Sequence, residues 1–215
     1  MKKYDLIYFV GDSWTVAHIT DGVLPEPQPK ETLFTYLVAN YFNIPYIVDA
    51  NGGVSNEWIH RTAVNGIEKF VTENKKILLI IGWSDPSRRE MFSNELRQSI
   101  SVSEISCSLD WYKEYVVKYF DYDFQSEITI ALRKSIRGLC HAFDIDYIEC
   151  SAFTPFTNIS FLDKNQMLEE HWSKICGEEG RIFVPNTLFK YGHQNKLGQE
   201  KIANALINKI IKTYG

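Results

Sequence analysis

A serine stands at position 13 directly behind Gly11-Asp12, where an apolar run from Leu6 to Val10 breaks off. A serine hydroxyl becomes a nucleophile when a neighbouring base takes its proton, and its attack on a carbonyl creates a negative oxygen that needs donors. The chain holds a candidate for each part. His193 lies in Gly192-His193-Gln194-Asn195, just ahead of the last helical pattern. Two further apolar runs end in small-residue turns, Gly52-Gly53-Val54-Ser55-Asn56 and Gly82-Trp83-Ser84-Asp85, which offer backbone N–H groups and side-chain donors. Each piece alone has a plain explanation. A glycine turn at a strand end is ordinary connective chemistry, Asp12 or Ser13 can simply cap a helix, and a lone histidine near a helix start is often a surface hydrogen-bonding group. Together they form a complete set for acyl transfer, with Ser13 as nucleophile, His193 as base and neighbouring turns as oxyanion donors.

Such a set works only if separate elements bring it to one edge. Lys3 to Val10 reads as the first buried strand, with Gly11 allowing the sharp turn after it and Ser13 opening the next helix. Prolines 25, 27 and 29 keep the chain loop-like to Lys30, and Leu33/Phe34, Leu37/Val38 and Tyr41/Phe42 then recur at helical spacing until Ile44-Pro45 stops them. Tyr46 to Val48 reads as a second strand, and Ile59, Ala63, Ile67 and Phe70 as the inner face of a helix. Lys76 to Ile81 is the clearest buried strand. The stretch from Ser87 to Ser108 reads as an excursion over the active edge. Two helices follow, one carrying Leu109, Tyr112, Val116 and Phe120, the other Ile128, Leu132, Ile136, Leu139 and Phe143. Asp146 to Cys150 is a fourth strand, and a short fifth is expected at Arg181 to Val184 inside an irregular stretch from Ser151 to Asn186. The last helix spans about Lys196 to Lys212, with Ile202, Leu206 and Ile210 inward. Alternating strands and helices imply a mostly parallel sheet of about five strands, covered on both faces: a three-layer α/β/α sandwich in a single domain, 1–215. In such sheets ligands bind beyond the carboxyl ends of the strands.

Composition narrows the partners. The 215 residues include 23 Lys and Arg against 27 Asp and Glu, giving −4, with 45% apolar and 14% aromatic residues. Lys2-Lys3, Lys75-Lys76 and Arg88-Arg89 are too short for a nucleic-acid footprint, so no nucleic-acid partner is expected. Cys107, Cys140, Cys150 and Cys176 lack metal spacing, as do His18, His60, His141 and His171, so neither metal nor cofactor is expected. The amino-terminal apolar run is five residues long and follows Asp5, too short for a signal-peptide core, and no segment has the length of a membrane span. A cytoplasmic protein is the expectation.

The four stretches, in this order, resemble the four sequence blocks of the SGNH (GDSL-type) hydrolases, and the likeness runs from Gly11 to His193. In that family the serine of the first block is nucleophile and lends its own N–H to the oxyanion. The resemblance implies both roles for Ser13. The glycine of the second block, another oxyanion donor, falls on Gly53, with Gly52 as neighbouring competitor. The third block is Gly-x-Asn-Asp in the family and Gly82-Trp83-Ser84-Asp85 here, which puts Ser84 at the place of the third donor with a shorter reach. The fourth block is Asp-x-x-His, with His193 in place and Lys190 where the aspartate belongs. A carboxylate there normally fixes the imidazole. Without it, another acid takes over (Asp163, Glu178 and Glu179 are candidates), or a backbone carbonyl orients the ring of a Ser-His dyad, or the enzyme is impaired.

The resemblance implies an SGNH-like, flavodoxin-like fold and a serine esterase acting through an acyl-enzyme, with O-acetyl groups on a glycan among its substrates. Its alternatives are an O-acyltransferase and a catalytically silent glycan-binding or assembly module. Trp14 and Trp83 are candidates for a sugar-stacking surface, against core packing, and Arg88 for contact with an anionic substrate.

Overall fold

The computed structural model describes residues 3–16, 29–93, 98–102, 118, 121–153, 164–183 and 191–215. In chain order these form β1 (Leu6–Gly11), α1 (Ser13–Val16), α2 (Phe34–Phe42), β2 (Tyr46–Ala50), α3 (Asn56–Thr72), β3 (Ile77–Trp83), β4 (Arg89–Ser93), β5 (Gln98–Val102), α4 (Tyr122–Ala142), β6 (Asp146–Ser151), α5 (Trp172–Cys176), β7 (Arg181–Phe183), β8 (Tyr191–Gln194) and α6 (Lys196–Tyr214). Leu109, Tyr112, Val116 and Phe120 of the first expected helix, the loop prolines 25 and 27, Asp163 and Lys190 lie outside the described residues.

The central sheet is parallel, in the order β2-β1-β3-β6. Every residue of β1 and β3 is buried, as expected for strands covered on both faces, and this is why both read as unbroken apolar runs. Side chains alternate between the two faces. Ile7, Phe9, Leu78 and Ile80 pack with Phe34 and Val38 of α2 and Ile202, Leu206 and Ile210 of α6. Tyr8, Val10, Leu79 and Ile81 pack on the other side with Ile59, Ala63, Ile67 and Phe70 of α3 and Ile136 of α4. The result is the expected α/β/α sandwich.

The central sheet has four strands among the described residues. The segment expected as a fifth does form a strand, β7, but it pairs antiparallel with β8 in a separate ribbon. The place beside β6 is taken by a single parallel bridge, Glu149 to Met167, and by the Tyr214 hydroxyl, which accepts from Tyr147 N and donates to Tyr147 O. In the excursion after β3, β4 and β5 form an antiparallel hairpin.

Helix ends follow their side chains. Ser55, Asp121 and Asn195 cap α3, α4 and α6, each accepting from a backbone N–H of the first turn. Asn43 ends α2 in the left-handed conformation two residues before Pro45. One charged pair lies in the interior: Arg133 of α4 meets Glu149 of β6 at 2.6 Å, with both side chains wholly buried. Among the described residues no helix is long and apolar enough to cross a membrane.

Candidate active site

β1 and β3 run side by side to a shared end, with Gly11 opposite Gly82. These glycines are required by close approach. A Cβ on Gly11 would lie 2.0 Å from Thr15 Oγ1 and 2.9 Å from the Gly82 carbonyl, and one on Gly82 would lie 2.3 Å from the Trp172 ring. The tight junction lets α1 start immediately after β1.

Asp12, rather than Ser13, caps that helix. Its Oδ1 accepts from Trp14 N at 3.0 Å, and its carbonyl accepts from Thr15 and Val16. Ser13 is thereby left at the first helical position with its hydroxyl outside the capping bonds, half-buried at the carboxyl edge of the sheet. Since α1 has only four residues, little helix dipole is available there, and any stabilisation of charge must come from individual donors.

The Asp12 carboxylate, fully buried, organises the surroundings. Its Oδ2 accepts from Ser84 Oγ at 3.0 Å and from Arg88 Nη1 at 3.1 Å, and Arg88 Nη1 also donates to Ser84 Oγ at 2.9 Å. Asn56, the first residue of α3, clamps Ser84 from the other side. Ser84 N donates to Asn56 Oδ1 at 2.8 Å, and Asn56 Nδ2 donates to the Ser84 carbonyl and to Thr129 Oγ1. Ser84 is 1% exposed. Its single hydroxyl hydrogen goes to Asp12, which leaves it none to give an oxyanion. Its position ties the ends of β1 and β3 to the start of α3 instead.

Gly53 lies in the exposed turn between β2 and α3 at φ +72°, with open space where a side chain would be, as does Gly52 beside it. Of these two, Gly53 is the one whose backbone uses the left-handed freedom of glycine.

β8 brings His193 to the same edge. Gln194, beside it, donates from Nε2 to the Trp14 carbonyl at 2.6 Å, and Asn195 Nδ2 donates to the Glu179 carbonyl. Next to these anchors, the His193 ring lies 5.9 Å from the Trp14 ring, one residue along from Ser13, with its Nε2 shielded from solvent. Glu179, a candidate to orient the imidazole, pairs with Lys201 instead, and that contact holds its carboxyl below the usual range.

The aromatic expectations change. Trp14 is 3% exposed and packs edge-on against Phe153 with ring centres 5.5 Å apart, while Trp83 is fully buried in the core facing α3 and α4. Both turn inward, so neither presents a face on which a sugar can stack. Arg88 does reach the site: its guanidinium lies 5.2 Å over the Phe153 ring and its side chain is 18% exposed. Asn56, Phe153 and Gln194 are the neighbours that sequence reasoning left without a role. Asn56 stood in the second glycine turn, but nothing in the sequence pairs it with Ser84. Among the described residues no group of three His, Cys, Asp or Glu side chains converges as a metal site requires. Burial pushes the Cys140 and Cys176 thiols up to about 12, so they pack as core residues and not as nucleophiles.

The architecture recurs in solved structures. It is shared with the psychrotrophic esterase EstA of a Pseudoalteromonas species, 14% identical, TM-score 0.58, the match covering 97% of both chains. The chain has the SGNH-hydrolase fold. A member of the lipolytic G-D-S-L family from Veillonella parvula matches over 97% of both chains at 10% identity and TM-score 0.50. The acetyl xylan esterase Est2A of Butyrivibrio proteoclasticus matches at 8% identity and TM-score 0.55, over 95% of this chain and 63% of its own. No family model and no curated protein matches the sequence. At these identities the likeness establishes the SGNH-type fold, and the chemistry has to be argued from the site.

Proposed function

We propose that this protein hydrolyses carboxylic esters through an acyl-enzyme on Ser13, with His193 as general base. The observation that carries the reading is the convergence at one sheet edge. Asp12 takes the helix cap and leaves the Ser13 hydroxyl available, while β8 sets His193 against the next residue, Trp14.

In the first half-reaction the Ser13 Oγ forms a bond to the carbonyl carbon as its proton passes to His193 Nε2. The carbonyl π pair moves onto oxygen, where the Ser13 and Gly53 N–H groups are the backbone donors. Collapse of that oxyanion expels the alcohol, which takes the proton from His193, and leaves acyl-Ser13. Water then repeats the sequence and releases the carboxylic acid. The Ser84 hydroxyl, bonded to Asp12, shapes the turn without donating to substrate. The inward-facing Trp14 and Trp83 withdraw the aromatic argument for a glycan, so small acyl esters are the substrate class. O-acetyl glycans are the narrower class suggested by the acetyl xylan esterase neighbour.

Incubation with p-nitrophenyl acetate tests this. Wild-type turnover, with intact mass showing an acetyl group that is absent from Ser13→Ala, is the expected result, and His193→Ala falls to a residual rate several orders of magnitude lower. Wild-type turnover no faster than that of His193→Ala moves the reading to a silent binding module. Acetyl transfer to an added sugar in preference to water moves it to an acyltransferase.

A further inference from the structure

We propose that the Arg88 guanidinium supplies the side-chain hydrogen bond to the oxyanion, at the place where Ser84 has no hydrogen to give. The proposal rests on the esterase reading of Ser13. Three observations locate the donor. Arg88 Nη1 lies 2.9 Å from Ser84 Oγ, so the guanidinium fills the space into which a longer side chain at position 84 would extend. It lies 3.1 Å from the carboxylate of Asp12, the residue that immediately precedes Ser13. Its guanidinium carbon lies 5.2 Å from the centre of the Phe153 ring, which packs against Trp14, the residue that follows Ser13. Arg88 is therefore fixed on both sides of the nucleophile's position in the chain.

The chemistry suits the task. A guanidinium carries five N–H donors in a rigid fork, and its contacts with Asp12 and Ser84 use Nη1 alone. The Nε and Nη2 hydrogens lie in the same plane, oriented by those contacts and by Phe153. A donor that is mostly out of water and already aimed needs no reorganisation when charge develops, which is how oxyanion donors gain their effect. The buried Asp12 carboxylate offsets much of the positive charge. The site therefore favours the forming oxyanion over tight capture of the carboxylate product.

The experiment compares kcat and KM on p-nitrophenyl acetate for the wild type, Arg88→Lys and Arg88→Met, with thermal melting of each. Lysine keeps the charge facing Asp12 but is a point donor that cannot serve Asp12 and the oxyanion together. Methionine keeps apolar contact with Phe153 and no donor. We expect both variants to melt cooperatively, with kcat reduced at least about tenfold in Arg88→Lys and about a hundredfold or more in Arg88→Met, at nearly constant KM. In Arg88→Ala, added guanidinium ion should restore part of the lost kcat. Folded Arg88→Lys or Arg88→Met with wild-type kcat overturns the proposal and leaves Arg88 as the counter-ion of Asp12. A kcat loss that follows the loss of fold, with no rescue by guanidinium, overturns it as well. Absence of turnover and of acyl-Ser13 in the wild type is a different outcome, because it removes the esterase reading itself.

Discussion

Ser84 shows how one residue changes meaning with its partners. By position it stands for a family asparagine that would donate to substrate, whereas by geometry it donates to Asp12 and is locked by Asn56. These two readings predict different losses. If Ser84 only braces the turn, Ser84→Ala removes the two hydrogen bonds of its hydroxyl, the one given to Asp12 and the one accepted from Arg88, while Asp12 keeps its bonds from Trp14 N and Arg88. The expected cost is about 1–2 kcal/mol of stability, read from urea unfolding. The kcat on p-nitrophenyl acetate should fall by less than about tenfold, well short of the hundredfold that loss of an oxyanion donor brings. A hundredfold fall in kcat with unchanged stability would return Ser84 to the oxyanion hole.

At the scale of elements, the site is made by the junction of β1 and β3 with α1, and that junction tolerates no side chain. Gly82 faces Trp172 of α5 and Thr15 of α1, while its backbone is held in register with Gly11 on one side and Cys150 on the other. Gly82→Ala should therefore cost about 1–3 kcal/mol by overpacking, with altered tryptophan fluorescence as Trp172 is pushed. An unchanged urea midpoint would mean that the Trp172 ring can swing aside freely. The same junction marks where sequence reasoning held and where it failed. The strands β1 and β3 and the helices α3, α4 and α6 were legible because burial on one or two faces imposes a period on the residues that line them. The place of Ser13 at the end of the first strand was legible because the apolar run of β1 breaks at Gly11 and leaves the serine to open the next helix. The hydrogen-bond partners were not, because Asn56 meets Ser84, and Asp12 meets Ser84 and Arg88, across separations of 28 to 76 residues that no local pattern encodes. The inward turn of Trp14 and Trp83 was hidden for the same reason, since an indole next to an active-site block has the same letter whether it lines the cleft or the core. The fifth strand was misplaced because a short β-like run states its propensity and not its partner.

Across the whole molecule, two histidines report on packing at opposite faces of the sheet. His60 of α3 lies with Nε2 3.1 Å from Ser135 Oγ of α4, and burial, with Arg61 adding to it, lowers its pKa. His171 caps α5 on the other face, where Nδ1 accepts from Lys174 N. Burial again lowers its pKa, assisted by Lys174 and opposed by Glu170. The fold disfavours the charged form of both rings. As the pH falls past about 6.5 the unfolded chain takes up protons that the native state resists, so stability is complete above that value. It declines as the pH drops toward the folded-state pKa values, below which these two groups contribute no further loss. The urea midpoint should accordingly be lower at about pH 5.5 than at about pH 7.5. His171→Asn isolates one share of the effect, because asparagine also accepts the capping hydrogen bond but does not titrate. Its midpoint should match the wild type near pH 7.5 and fall less on acidification. An identical fall in both proteins would assign the acid sensitivity to His60 and other groups, and would show that the α5 cap does not depend on a neutral ring.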